Sequence, residues 1–208
     1  YRDLVMEQIP ELESKNLLLE PYTRNTAPSV AYATYTLLLR DPEAHVVVTP
    51  SDHFILNEEL FCETIRHAFD FVEANDVFMT LGILPTRPDT NYGYIQACGG
   101  HNAYKNNSPM QVKSFMEKPD KELAQVFINT GEFFWNSGIL VWRAQTIKKE
   151  LDKHLPRVAE LFKGWERALG TKIEEEFVAR AFPACPNISI NYGIMEKTDK
   201  AWMYPARF

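Results

Sequence analysis

Four residues without a polar interruption, Val46-Val47-Val48-Thr49, stopped by Pro50 and followed at once by Ser51-Asp52-His53, constrain this chain more than any other feature. An unbroken β-branched run is the pattern of a strand buried on both faces. Proline ends it, which places the Asp52 carboxylate at the strand's carboxyl end. Residues 56–74 then carry helical spacing, and residues 77–84 form a second apolar strand. Strand, helix and strand in alternation predict an α/β fold with a mainly parallel, mixed sheet flanked by helices. In open sheets of this kind ligands collect at the carboxyl ends of the strands. A hard oxygen ligand such as Asp52 suits Mg²⁺ carrying a phosphate there. Its competing role is to cap the helix that follows.

Other elements read off the pattern in turn. Leu4, Val5, Met6 and Ile9 share one helical face, and Leu17-Leu18-Leu19 predicts a short strand. Thr26 as cap with Pro28 in the first turn predicts a helix over 29–39, so free amide donors would face beyond Asn25. Such a helix start, here Arg24-Asn25-Thr26-Ala27-Pro28, suits a phosphate or the edge of a base. Tyr92-Gly93-Tyr94-Ile95 opens a strand whose glycine admits a ligand close to the backbone, or else marks a bulge. Residues 112–116 predict a strand ending at Glu117-Lys118-Pro119, with acid and base pointing to opposite sides. The carboxylate suits sugar hydroxyls and the ammonium a phosphate; as a bare dipeptide the pair is two solvated charges. Asn136 lies inside the apolar run 133–142, where a buried amide needs backbone or ligand partners. Residues 146–182 read as helical with solvated faces, 187–190 as a short strand before a helix start, and 202–208 as strand-like.

Composition narrows the function classes. The 208 residues are 45% hydrophobic, enough for one compact domain. Twenty-two basic against 28 acidic residues give a net charge of −6. No basic cluster tracks a polyanion, so neither nucleic acid nor an anionic membrane is an expected partner. No apolar stretch reaches the roughly 20 residues that span a bilayer, and the first residues lack the charged and apolar zones of a signal peptide, so a cytoplasmic, soluble protein is expected. Cys62, Cys98 and Cys185 are odd in number and far apart, which predicts reduced thiols and neither a disulfide framework nor a zinc site. Hydrolase signatures are missing, and no side chain stands out as a covalent nucleophile.

Taken in order, these motifs resemble the bacterial mannose-1-phosphate guanylyltransferases over nearly the whole chain. The resemblance rests on Glu20-Pro21 with Arg24-Asn25-Thr26-Ala27-Pro28, on Pro50-Ser51-Asp52-His53, and on Gly82-Ile83 with Pro85-Thr86-Arg87-Pro88 and Tyr92-Gly93-Tyr94-Ile95. It continues through Glu117-Lys118-Pro119, Trp135-Asn136-Ser137-Gly138 and Ser189-Ile190-Asn191-Tyr192 with Met195-Glu196-Lys197. It implies a Rossmann-like nucleotidyltransferase fold that joins GTP to mannose 1-phosphate, giving GDP-mannose and pyrophosphate. By the resemblance Asp52 would bind Mg²⁺, and Asp52 with Lys118 would be the catalytic pair. Arg24, Asn25, Thr26, Ala27, Pro28 and Ser51 would face the nucleotide. Tyr92, Gly93, Tyr94, Glu117, Asn136 and Asn191 would face the sugar. A hexose 1-phosphate other than mannose's, or a non-catalytic sugar-nucleotide-binding protein, are the alternatives.

Departures from the family pattern set further expectations. Its opening Gly-Gly-x-Gly-x-Arg loop and its later Gly-Trp-x-Asp metal ligand are not among these residues, so the sequence reads as a domain truncated at both ends. The isolated 208 residues are accordingly expected to be inactive or severely weakened. Asn191 stands where aspartate is usual and Asn91 where glycine is usual; asparagine tolerates left-handed backbone angles, which makes the second change mild. Oligomeric state is open, with a homodimer of the full-length chain among the options.

Overall fold

A computed structural model describes residues 1–208. In chain order the sheet strands are β1 (His45–Val48), β2 (Phe78–Ile83), β3 (Tyr94–Ala97), β4 (Met110–Met116), β5 (Phe133–Arg143) and β6 (Ala201–Ala206). The helices are α1 (Arg2–Gln8), α2 (Thr26–Arg40), α3 (Glu58–Ala74), α4 (Gly100–Lys105), α5 (Lys121–Thr130), α6 (Ala144–His154), α7 (Pro156–Leu161), α8 (Trp165–Ala168) and α9 (Glu174–Ala184).

Six strands lie in the order β1-β5-β2-β6-β4-β3, and the start of β5 also pairs with β3, so the sheet curls back on itself. The sheet is mixed, but its neighbours are mostly antiparallel; only β2 and β6 are parallel. The expectation of a mainly parallel sheet therefore fails at the level of neighbours. The β1–α3–β2 crossover does leave β1 and β2 pointing the same way. The longest strand, β5, inserts antiparallel between them, and sequence alternation carries no sign of such an insertion.

Alternation along the strands sends side chains to two helical layers. Phe78, Leu140 and Trp142 face α2, α6, α7 and α9, meeting Tyr35, Ile147, Leu151, Phe162 and Phe182. Met79, Leu81, Ile139 and Val141 face α3, meeting Ile65, Ala68 and Val72. Phe162 stands at the aromatic centre of the first layer, 5.5 Å from Tyr35 and 5.9 Å from Phe182 between ring centroids. Smaller clusters sit beneath α4, around Phe134 and Met203, and beneath α5, around Phe127 and Phe133.

Three local expectations are corrected. β1 is not buried on both faces: it is the sheet's edge, pairs only with β5, and leaves Val47 37% exposed. Leu17-Leu18-Leu19 joins no ladder; a 3₁₀ turn over Ser14–Asn16 precedes it, and Leu18 packs on the core without strand pairing. Residues 187–190 also form no strand. Their backbone instead closes the start of α2, and a π-helical turn, Asn191–Met195, follows.

Candidate active site

β1, β2 and β6 point the same way, and the loops that leave their carboxyl ends bound a cleft of about 480 Å³. Asp52, Tyr92, Trp135, Asn136 and Phe208 are among its walls. A wider groove of about 770 Å³ lies along α6, α7 and α8; it is lined by surface charges such as Lys148, Asp152 and Glu160 and holds none of the motif residues. The chemistry therefore belongs to the smaller cleft.

Asp52 is exposed and makes no hydrogen bond or ion pair within the chain. Capping α3 falls to Asn57, whose side chain accepts from Leu60 N at 2.9 Å, which removes the structural explanation for the Asp52 carboxylate. No cluster of three or more potential metal ligands forms anywhere in the chain. Asp52 fits Mg²⁺ as a single-carboxylate ligand, because that ion is commonly held by one or two carboxylates with phosphate and water oxygens completing its shell.

Asn136 is delivered by an irregularity. Gly82 pairs with Asn136 but Thr80 with Leu140, so β5 carries extra residues against β2 at Ser137–Ile139. Bulges re-aim side chains in this way beside functional sites. Ser137 Oγ donates to Leu81 O at 2.7 Å and fastens the bulge from within. Gly138 adopts φ +73°, and a Cβ there would stand 3.3 Å from Pro50 Cγ, which makes glycine the residue of that position. Asn136 N donates to Gly93 O at 2.8 Å and draws the two motifs together.

Gly93, Glu117 and Asn136 converge. A Cβ on Gly93 would lie 3.7 Å from Asn136 Cβ and 4.0 Å from Glu117 Oε1. Gly93 has no left-handed φ and the bulge of β3 falls later, at Gln96 and Ala97, so the missing side chain serves space rather than a turn. Tyr92 leans on Trp135, ring centroids 5.1 Å apart, and lines the cleft. Tyr94 does not: it is fully buried against Phe127, with its hydroxyl donating to Asp89 O at 2.9 Å. Its place among the sugar-facing residues becomes a structural one, since strand alternation turns it away from Gly93.

The loop before Tyr92 is latched by Asp89, which accepts from Arg87 Nη2 at 2.7 Å and from Asn91 N at 2.9 Å. These bonds, the Asn91 backbone first, hold the Asp89 carboxyl below the usual carboxylate range. Asn91 does not use the left-handed angles its substitution for glycine suggested. Arg87 also lies over the Trp135 ring at 5.2 Å, a cation–π contact.

The other predicted residues divide. Glu117 and Lys118 are both exposed, make no ion pair, and stand outside the cleft wall proper. Ser51 is exposed in the turn beside Asp52. At the start of α2 the cap is Asn25, not Thr26, with φ +60° and its Oδ1 accepting from Thr26 N. The free donors expected there are largely spent: Ala27 N donates to Ile188 O, Pro28 has no N–H, and Thr26 Oγ1 accepts from Ile190 N. Arg24 donates to Pro183 O at 2.7 Å. Thus Arg24, Asn25, Thr26, Ala27 and Pro28 gather beside residues 188–190 and Asn191, apart from the cleft wall. The π-helical turn that begins at Asn191 leads to Glu196, whose carboxyl is held above its ordinary range by burial and then by the charge of Glu117. This turn links the two groups of residues.

Sequence reasoning gave no role to Trp135, Arg87, Thr80 or Glu196. Trp135, Arg87 and Glu196 sat inside motifs already singled out. Thr80 had a signal of its own, a lone hydroxyl in the apolar run Val77-Phe78-Met79-Thr80-Leu81.

Two solved structures share the fold: one described as mannose-1-phosphate geranyltransferase from Thermus thermophilus, at TM-score 0.77 and 26% identity over 99% of this chain and 63% of that one, and one described as mannose-6-phosphate isomerase from Helicobacter pylori, at TM-score 0.78 and 28% identity over 99% and 78%. A mannose-1-phosphate guanylyltransferase from Salmonella montevideo is 38% identical over 99% of this chain, and one from Escherichia coli K12 is 34% identical over 99%. The chain spans 44% of the length of each of these two relatives. The family model described as nucleotidyl transferase matches residues 2–175, and the chain belongs to the nucleotidyl transferase family.

Proposed function

We propose that the protein transfers GMP from GTP to mannose 1-phosphate, releasing pyrophosphate and forming GDP-mannose. The observation that carries the reading is the convergence of Gly93, Glu117 and Asn136 on one gap, with Asn136 also in the wall of the cleft that holds Asp52. A carboxylate and a carboxamide facing a gap without side chains suit a hydroxyl-rich ring. The names borne by the relatives in Salmonella montevideo and Escherichia coli supply mannose and guanine, which the residues do not specify.

In this reading Glu117 accepts from hexose hydroxyls, Asn136 bonds a second position, and Tyr92 with Trp135 walls the ring. Lys118 neutralises the sugar phosphate, and Asn191 closes the sugar side. The start of α2 faces the guanosine through the side-chain NH₂ of Asn25, because its backbone donors are engaged. Asp52 would hold Mg²⁺, with Ser51 beside the triphosphate. When bound, the ion supplies charge neutralisation on the phosphates. The sugar phosphate oxygen attacks the α-phosphorus as the α–β phosphoanhydride bond breaks and pyrophosphate leaves, so the protein's contribution is orientation and charge. The three cysteines are unpaired, which supports assignment to the cytoplasm. No helix is long and apolar enough to cross a membrane.

Release of pyrophosphate from GTP and mannose 1-phosphate with Mg²⁺, measured on the full-length protein, tests the proposal. Turnover above the rate without mannose 1-phosphate is expected. Binding of GDP-mannose without turnover would favour a non-catalytic sensor, and turnover only with another hexose 1-phosphate would correct the substrate.

A further inference from the structure

Two donors converge on one atom of Asn136. Gly138 N donates to Oδ1 at 3.1 Å, and the Thr80 hydroxyl donates to the same oxygen over a longer 3.4 Å. The backbone N–H of Gly138 is only ever a donor, so the atom facing it must be the amide's oxygen. Nδ2 makes no hydrogen bond within the chain. Across the gap left by Gly93 stands Glu117 Oε1, an acceptor when ionised.

We infer that Thr80, together with Gly138, locks the polarity of the Asn136 amide so that it presents only donors to the cleft, opposite the acceptor Glu117. Thr80 is a positioning residue, fully buried, whose hydroxyl has Asn136 as its sole partner. The consequence is specificity, and it rests on the proposed sugar site. A hexose hydroxyl between the two side chains accepts from Asn136 Nδ2 and donates to Glu117, which a fluorine or a hydrogen at that carbon cannot do. A site built from one donor and one acceptor disfavours ligands that leave either group unpaired.

Thr80→Val keeps the shape and deletes the hydroxyl; Thr80→Ser keeps the hydroxyl. In the full-length protein Thr80→Val should raise the KM for mannose 1-phosphate roughly fivefold, the effect of one hydrogen bond, with the KM for GTP within about twofold. Thr80→Ser should restore most of the loss. An unchanged KM in Thr80→Val, equal loss in Thr80→Ser, or a parallel rise in both KM values overturns the inference.

Neutron diffraction on the deuterated protein gives a readout independent of turnover. Deuterons on the Asn136 side-chain atom remote from Gly138, with the Thr80 hydroxyl deuteron aimed at Oδ1, support the lock. Deuterons on the atom nearest Gly138, or a Thr80 deuteron aimed elsewhere, overturn it. A full-length protein without turnover would remove the proposed reaction while the neutron map still decided the amide.

Discussion

Gly93 and Asn136 face each other across a gap one methyl group wide, for a Cβ on Gly93 would rest 3.7 Å from Asn136 Cβ. That is ordinary van der Waals contact, and the glycine's φ is not left-handed. Gly93→Ala should therefore fold normally, with its melting temperature unchanged or slightly raised, since a compatible alanine lowers the entropy of the unfolded chain by about 0.4–1 kcal/mol. The same methyl fills the space between Asn136 and Glu117. KM for mannose 1-phosphate in the full-length protein should rise on the order of tenfold or more. A variant that loses stability and keeps its KM would mean that the glycine serves the backbone instead.

Asp52→Asn makes the complementary separation. The side chain is exposed and the cap of α3 belongs to Asn57, so stability should move by no more than about 0.5 kcal/mol. Removing a charged oxygen ligand should lower turnover on the order of a hundredfold and raise the Mg²⁺ concentration needed for half-activity. Thermal melting and a magnesium titration of the full-length protein check both halves; a variant that melts early and keeps its magnesium dependence contradicts this role.

How far the sequence carried is clear from particular elements. β2 and β5 followed from largely apolar runs, because the residues that make a strand are also those that bury it. The antiparallel insertion of β5 was invisible, since a doubly buried strand has the same pattern whichever way its neighbours run. Asn136 was legible because a polar residue within an apolar run requires a partner, and Glu117 because Pro119 ends the strand beside it. Tyr94 was misplaced by its company with Gly93, although adjacent strand residues point to opposite faces. The amide donors of α2 were spent on residues 188–190, a partnership more than 160 positions distant that no local pattern encodes.

Asp76 ties the opposite end of the sheet together. It accepts from Lys200 Nζ at 2.8 Å and from the Thr146 hydroxyl, and these bonds, Lys200 first, hold its carboxyl below the usual carboxylate range. A carboxyl depressed in the folded state stabilises the fold above its unfolded pKa of 3.8, and that contribution is lost as pH falls through the folded value. The side chain is 46% exposed, so solvent screening limits the contribution to about 1 kcal/mol or less. Asp76→Asn should lower the melting temperature at pH 7, with the deficit shrinking as pH falls below 3.8 and through the folded value, as read by calorimetry across that range. An equal deficit at both ends would assign the effect to packing.

Glu117 and Glu196 give a last, oppositely signed case. Burial, then the charge of Glu117, raises the Glu196 pKa above its ordinary 4.5. A raised carboxyl stabilises the fold only at low pH, and that contribution disappears as pH climbs through the folded value, so at pH 7 the pair is a standing cost. Glu117→Gln removes the smaller of the two causes. Glu196 should then titrate closer to 4.5 without reaching it, as ¹³C-detected titration of its side chain would read, and the protein should melt at or slightly above the wild-type temperature at pH 7. Hexose phosphate binding should fall in the same variant, because the amide offers one acceptor where the carboxylate offered two. Stability gained together with binding lost is the mark of a charge kept for its ligand; a Glu196 titration unmoved by the substitution would uncouple the two carboxylates and leave burial as the whole cause.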